Sequence, residues 1–312
     1  MNEILISICI PAYSRTAFLQ RLLDSIAMQT FRDFEVIVTD DTPGAEVREV
    51  CSKYADAFPL SYYKNEPGLG TPENWNEGIR RASGKWIKLM HDDDWFAVPG
   101  ALQQFADAVR QHPQASFFFC AYSNVYEETG KKEIVNITSL RWKMLLKNKV
   151  TLFSSNIIGP PSVTLHRNDR QHWYDRNIKW VVDIDFYIRY LEGTDPVYID
   201  QPLVNVGINP GQVTRVSFRK PEVEIPENFY LLRKVGTKHL SNLLVYDAWW
   251  RLMRNLHIRK ETEVQEHGYH EAIPAAVGRI IRVQQKIPRP LLNVGVFSKM
   301  FMFVSYLFNR AR

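Results

Sequence analysis

Within its first hundred residues the chain switches repeatedly between two hydrophobic periods, and that switching restricts the folds open to it. Ile4–Ile10 is an apolar run rich in β-branched residues, short enough for a strand buried on both faces. Phe18, Leu19, Leu22, Leu23 and Ile26 then recur at helical spacing. Glu35–Thr39 predicts a second strand, Ala45–Ala57 a helix, Ser61–Lys64 a third strand, Glu73–Ser83 a helix and Lys85–Met90 a fourth strand. Strand and helix in alternation read as an α/β protein whose mostly parallel sheet is flanked by helices. Further on, Ala115–Tyr122 and Ser162–His166 read as strands, and Leu140–Lys147 and Val181–Glu192 as helices. Pro210, Gly211, Pro221 and Pro226 punctuate a loop-rich stretch that sets a domain boundary, with residues 1–225 before it and a helical extension, 226–312, after it.

The charge changes sign at the same place. Residues 1–230 carry 25 Lys and Arg against 29 Asp and Glu, a balance of −4, whereas residues 231–312 carry 14 against 5, or +9. A chain that is 45% apolar and 23% charged is neither disordered nor a low-complexity scaffold. Its three cysteines, Cys9, Cys51 and Cys120, form no CxxC pair, which argues against a zinc or disulfide framework and for a reducing, cytoplasmic setting. The first apolar run follows an acid and ends at Pro11, unlike a secretory leader.

Acidic residues cluster where strands end. Asp92, Asp93 and Asp94 follow the fourth strand, and Asp40–Asp41 follow the second. Ligands of open parallel sheets bind beyond the carboxyl ends of the strands. Adjacent carboxylates repel one another, and hard oxygen ligands suit Mg²⁺ or Mn²⁺ bridging to phosphates. By itself a bare Asp triplet is better read as a solvated acidic turn and an Asp pair as a helix N-cap; their places at the ends of two strands of one sheet favour a site.

Four segments, in order, resemble the family 2 glycosyltransferases. They are Ile8-Cys9-Ile10-Pro11-Ala12-Tyr13-Ser14-Arg15, Val36-Ile37-Val38-Thr39-Asp40-Asp41, Asn74-Trp75-Asn76-Glu77-Gly78, and Gly84-Lys85-Trp86-Ile87-Lys88 running to His91-Asp92-Asp93-Asp94-Trp95. The resemblance implies the GT-A fold, a Rossmann-like sheet with a DxD metal motif, and inverting transfer from a nucleotide sugar. By position it implies that Pro11, Tyr13 and Arg15 pack on the nucleotide, that Asp40 with Asp41 meets the base, and that Asn76, Asp92 and Asp93 border the donor. Asp94 and Asp92 match the metal-binding acids, for Mn²⁺ or Mg²⁺. Ser14 stands where the family commonly has Asn, and Thr42-Pro43 where it has Gly-Ser.

The second half carries the resemblance further. Gly159-Pro160-Pro161-Ser162-Val163 is similar to an acceptor-side loop, and Asp183-Ile184-Asp185-Phe186-Tyr187-Ile188-Arg189 to the segment holding the catalytic base. Asp183 takes that place by register, Asp185 lies two residues on, and an N-cap would also explain Asp183. Asn209-Pro210-Gly211-Gln212-Val213-Thr214 resembles a loop that usually begins with His, and Arg215 and Arg219 follow as cations that either close on a diphosphate or are surface charges. Trp142, Trp173 and Trp180 are either sugar-stacking or core residues.

The resemblance thus implies a donor half near residues 1–110 and an acceptor half near 111–225, with a UDP-sugar donor and a glycan or lipid-linked glycan acceptor in surface polysaccharide synthesis. A sugar nucleotidyltransferase is the enzymatic rival, although its Gly-rich, basic first loop is absent from Pro11–Arg15. Non-catalytic glycan or nucleic-acid binding is the other, although the body holds no nucleic-acid-binding motif. In the tail, Trp249–Lys260 interleaves aromatics with cations, and Val294–Phe308 has Lys299 as its one charge. As a helix the latter would be ~22 Å long, too short for a hydrocarbon core of ~30 Å. It either docks on the body or lies peripherally on the inner face of a membrane.

Overall fold

The computed structural model describes residues 5–209 and 218–310. The chain divides into two compact units, Met1–Leu146 with Ile157–Pro210 and Lys147–Asn156 with Gly211–Arg312.

Among the described residues, the first unit is built on a nine-stranded mixed sheet. Its strands are β1 (Ile6–Ala12), β2 (Phe34–Asp40), β3 (Leu60–Lys64), β4 (Trp86–Leu89), β5 (Trp95–Phe96), β6 (Phe117–Tyr126), β7 (Lys132–Val135), β8 (Thr164–Arg167) and β9 (Val197–Ile208). They run in the order β3-β2-β1-β4-β8-β6-β9-β5, with β7 beside β6. The strands β1 to β4 are mutually parallel. Beyond them β8 is antiparallel to both β4 and β6, and β9 is parallel to β6.

Helices α1 (Thr16–Ala27), α2 (Glu46–Ser52), α3 (Glu73–Arg81), α4 (Ala101–Gln111), α5 (Ser139–Lys147) and α6 (Val182–Tyr190) accompany the strands. The stripe Leu19, Leu22, Leu23 and Ile26 is buried along α1, as its spacing requires. Strand β1 is covered on both faces, which is why it reads as an unbroken apolar run.

Helix α4 and strands β5, β7 and β9 lie outside the sequence reading, and one expected strand starts differently. Helix α4 is an amphipathic segment built on Ala101, Leu102, Phe105 and Ala106. Strand β9 is interrupted by Asp200-Gln201-Pro202, and its register against β6 slips between Cys120 and Tyr122. A bulge tolerates proline inside a strand and breaks the alternation that would announce one. The segment expected as a strand from Ser162 begins as a 3₁₀ turn, Pro161–Val163, before β8.

Parallel β1, β2 and β4 bring their carboxyl ends together. Ala12 pairs with Asp40, and the Met90 N–H donates to Cys9 O at 2.9 Å. The loops that leave these strands therefore emerge on one edge, where the candidate site lies.

The second unit is helical: α7 (Pro221–Val235), α8 (Leu243–Asn255), α9 (Glu261–Glu266), α10 (Ala275–Lys286), α11 (Arg289–Asn293) and α12 (Gly295–Arg310). Trp249 and Trp250 are each 1% exposed, so the aromatics interleaved with cations in α8 form a core. Pro226 falls inside α7, not before it. No helix among the described residues is long and apolar enough to cross a membrane.

Candidate functional site

The loop after β1 is held in a conformation uncommon for its residues. Ser14 has φ +57°, a region that Asn adopts more readily than Ser. Its N–H donates to Thr42 Oγ1 at 2.8 Å, and the Thr42 N–H donates to Asp40 Oδ1 at 2.7 Å. Pro11 is half-buried, while the Tyr13 side chain is 60% exposed at the edge of the sheet. This turn delivers Arg15 to the acids after β4. Its Nε and Nη2 donate to the two oxygens of Asp92, and its Nη1 donates to Asp93 Oδ2 at 2.8 Å. Burial acts against the guanidinium's charge, but Asp92 and Asp93 outweigh it and raise its pKa.

The acid triplet is buried. Asp92, Asp93 and Asp94 are exposed by 2, 5 and 2%. Burial pushes the Asp92 carboxyl up to about 7, against the pull of Arg15. Asp94 lies well above the carboxylate range, first through burial and then through repulsion from Asp93. Its Oδ1 accepts the Gly207 N–H at 3.1 Å, and Ser162 supplies a side-chain hydrogen bond. Asn209, where the family resemblance led to expect His, donates to Asp93 Oδ2 at 3.1 Å.

His91 completes this cluster, and sequence reading assigned it no role. One ligand atom each from His91, Asp93 and Asp94 lie within 4.8 Å of one another. The His91 Nε2 is buried with no hydrogen-bond partner, and burial lowers the imidazole to about 4, so it is neutral at pH 7. Its Nδ1 lies 3.9 Å from Asp94 Oδ2, and a neutral imidazole beside carboxylates that repel one another fits a divalent cation such as Mn²⁺ or Mg²⁺. The expected pair was Asp92 and Asp94. Asp92 carries the Arg15 fork, and ligand atoms of His91, Asp93 and Asp94 lie together beside it.

Lys88 is a second residue that sequence reading passed over, although its motif was visible. It is fully buried, donates from Nζ to Ser162 O, and is lowered by desolvation to about 8. Ser162 Oγ in turn accepts the His91 N–H at 2.9 Å. Lys88 thereby anchors the residue that holds the backbone of the acid loop.

Asp40 and Asp41 have partners inside the unit. Asp40 Oδ2 accepts the Tyr62 hydroxyl at 2.6 Å and Lys64 Nζ at 3.2 Å. Asp41 accepts Asn65 Nδ2 at 2.8 Å and the N–H groups of Leu69 and Gly70 at 2.9 and 2.7 Å. The pair thus fixes the loop that follows β3. Asn76 is also tied internally, exchanging hydrogen bonds of 2.8 and 2.9 Å with the backbone of Tyr174.

That link begins a run of rings. His91 lies 4.8 Å from Trp75, Trp75 meets Tyr174 edge-on at 5.1 Å, and Tyr174 stacks on Phe186 at 4.1 Å. Phe186 belongs to α6, whose first turn holds Asp183 and Asp185. The two acids differ. Asp185 is fully buried and its Oδ2 accepts Arg189 Nε at 2.9 Å and Nη2 at 2.7 Å. Asp183 is half-buried, and its Oδ1 accepts the Ile184 N–H at 2.8 Å. Tyr122 on β6 feels both acidic groups: burial, then Asp94, Cys120 and Asp183, push its phenol up to about 12.

Among the other expected residues, Arg219 belongs to the second unit, where its N–H donates to Glu224 Oε1 at 2.6 Å. Pro210–Thr214 and Arg215 lie outside the described residues. Trp142 packs against the buried Phe119 and the half-buried Tyr198, at 5.9 and 6.2 Å. Trp173 lies under Arg80, whose guanidinium is 5.9 Å from its ring, and Trp180 is half-buried.

Comparison with known proteins bears on the fold and the family. The curated relatives include an uncharacterized glycosyltransferase of Haemophilus influenzae, 26% identical over 208 residues, covering 64% of this chain and 67% of the relative. The uncharacterized glycosyltransferase YwdF of Bacillus subtilis is 28% identical over 191 residues, 59% of this chain and 67% of its own. Among solved structures, residues 1–349 of Staphylococcus aureus TarS in complex with UDP-GlcNAc superpose with a TM-score of 0.61 at 17% identity, covering 97% of this chain and 89% of that one. The mannosyltransferase PcManGT of Pyrobaculum calidifontis, in complex with GDP-Man and Mn²⁺, gives 0.54 at 13% identity, covering 98 and 85%. These likenesses establish the GT-A fold. The family model for glycosyl transferase family 2 matches residues 7–169, just over half of the chain and the span that holds the Arg15 fork and the buried acids; the chain is a member of glycosyl transferase family 2.

Proposed function

We propose that the protein is an inverting glycosyltransferase that moves a sugar from a nucleoside diphosphate donor to a hydroxyl of a glycan or lipid-linked glycan acceptor. The reading rests above all on the acids that His91 joins after β4 and on the run of rings from His91 through Trp75 and Tyr174 to Phe186, which supports a donor at those acids and a base on the first turn of α6. Residues 1–110 hold the donor and residues 111–225 the acceptor. The base lies against Pro11 and the exposed Tyr13, next to Asp40 and Asp41, and uridine is favoured because the TarS structure holds UDP-GlcNAc.

His91, Asp93 and Asp94 would hold the divalent cation. Its chemistry when bound is to neutralise the diphosphate as negative charge builds on it. Arg15, Asn209, Gly207 and Ser162 keep the acids in place, by the hydrogen bonds described. Asp183 takes the proton of the acceptor hydroxyl, which attacks the anomeric carbon opposite the leaving diphosphate and so inverts it. A positioned base of this kind contributes ~10²–10⁴-fold. Asp185 is committed to Arg189 and serves α6.

A panel of nucleotide sugars with Mn²⁺ tests the proposal, read as thermal stabilisation and slow donor hydrolysis. One or two donors should stabilise the protein and be hydrolysed. Pyrophosphate release from a nucleoside triphosphate and a sugar 1-phosphate would replace this reading with a nucleotidyltransferase.

A further inference from the structure

Helix α12 is amphipathic in the reverse sense. Ser298, Met302, Ser305 and Tyr306 face the second unit and are buried. Ser298 Oγ accepts Trp250 Nε1 and Arg254 Nη1, both at 3.0 Å. Ser305 Oγ pairs with the Tyr246 hydroxyl at 2.7 Å, and the Tyr306 hydroxyl donates to Ser241 O at 2.7 Å. The helix is thus docked largely through hydroxyl groups. Its outward side carries Phe297, Met300, Phe303, Val304, Leu307 and Phe308, exposed by 44 to 67%. They recur three and four residues apart and form one stripe. A helix covering a water-soluble body would turn such a stripe inward.

Charge complements the stripe. From Ala272 to Arg312 the chain has seven Lys and Arg and no Asp or Glu. Arg254, His257, Arg259 and Arg289 line a pocket with Leu292 and Asn293, and Arg289, Leu292 and Asn293 stand directly before α12 in the chain.

We propose that this face of α12 lies in the plane of an anionic lipid surface. The stripe enters the boundary between headgroups and acyl chains, and the surrounding cations meet lipid phosphates. At ~24 Å the helix is shorter than a hydrocarbon core of ~30 Å, so it rests on the bilayer and does not span it. A second copy of the chain fits less well, because pairing two copies of a stretch with seven cations and no acid of its own, where Glu261 offsets Arg282, brings like charges together.

The test is co-sedimentation of the full chain with vesicles of phosphatidylcholine alone or with about a third phosphatidylglycerol, at low and high salt. Binding should favour the anionic vesicles at least about tenfold and weaken with salt. The double variant Phe303→Ser/Phe308→Ser leaves the Ser298 and Ser305 contacts intact; it should lose most binding, about tenfold or more, with an unchanged melting temperature. Absence of wild-type binding, or equal binding by the double variant, overturns the proposal. So does a concentration-dependent dimer that the double variant dissolves without any vesicle binding, since the stripe would then join two copies. Should the double variant unfold, Arg289→Glu/Lys299→Glu decides: loss of the anionic preference supports the proposal, and its retention overturns it. None of these readouts depends on the donor or on turnover.

Discussion

Arg15 spans Asp92 and Asp93, residues 77 and 78 positions further along the chain, with a fork on the first and a single hydrogen bond of 2.8 Å to the second. It is the resident cation of a buried acidic cluster. Replacing it with Ala should weaken donor binding about tenfold or more, the worth of a charge-assisted hydrogen bond. Mn²⁺ binding in the absence of nucleotide should tighten, because a competing cation is gone. Arg15→Lys should not restore the wild type, since an ammonium cannot fork onto both oxygens. Isothermal titration with Mn²⁺ and with donor checks both directions; weaker Mn²⁺ binding would mean that Arg15 shapes the site and does not compete for it.

Gly207 makes a different demand on the same cluster. A Cβ there would fall 2.5 Å from Asp93 O, while its N–H holds Asp94 Oδ1. Gly207→Ala must therefore move the backbone of β9 or of the acid loop. The expected result is a loss of about 1–3 kcal/mol in stability, together with weakened Mn²⁺ binding. Unchanged melting and unchanged cation affinity would show that the loop yields freely.

Asp183 and Asp185 should separate by the kind of damage they cause. Asp183→Asn should keep its melting temperature and donor affinity but lose ~10²–10⁴-fold in transfer. Asp185→Asn removes the buried acid of its pair with the partly exposed Arg189, and destabilisation by about 1–3 kcal/mol is expected. Thermal melts and turnover on both variants decide; near-normal turnover by Asp183→Asn would move the base to another group.

What the sequence disclosed follows physical rules that differ between elements. Strands β1, β2 and β4 were visible because burial on both faces leaves an apolar run. Strand β9 was not, because a bulge places Asp200, Gln201 and Pro202 in its middle. The acidic clusters could be read as clusters, but their partners could not. Nothing local in the chain joins Arg15 to Asp92 or Asn76 to Tyr174, since those pairs exist only after the sheet has formed. His91 and Lys88 stood inside a recognised motif without a role, and only their folded neighbours, Ser162 and the acids after β4, give them one. In the tail, composition announced apolar and basic residues but not their direction. Trp249 and Trp250 turned inward, whereas the stripe of α12 turned out.

His166 offers a test of the fold through pH, away from the candidate cation site. It is 2% exposed on β8 among the rings of Phe117, Phe186 and Tyr190, and its Nε2 has no partner. Desolvation lowers it to about 4 from an ordinary 6.5. A depressed histidine is neutral in the fold while the unfolded chain binds a proton, so stability falls as pH drops from 6.5 towards 4 and is flat above that window. At pH 5 such a shift removes about 2 kcal/mol relative to pH 7. His166→Phe retains a ring among aromatic neighbours and deletes the titration. Relative to wild type, the variant should therefore gain about 2 kcal/mol between pH 7 and pH 5 in urea unfolding experiments. An identical pH dependence in the two proteins would mean that His166 is protonated in the fold, and that the pocket of rings around it admits water.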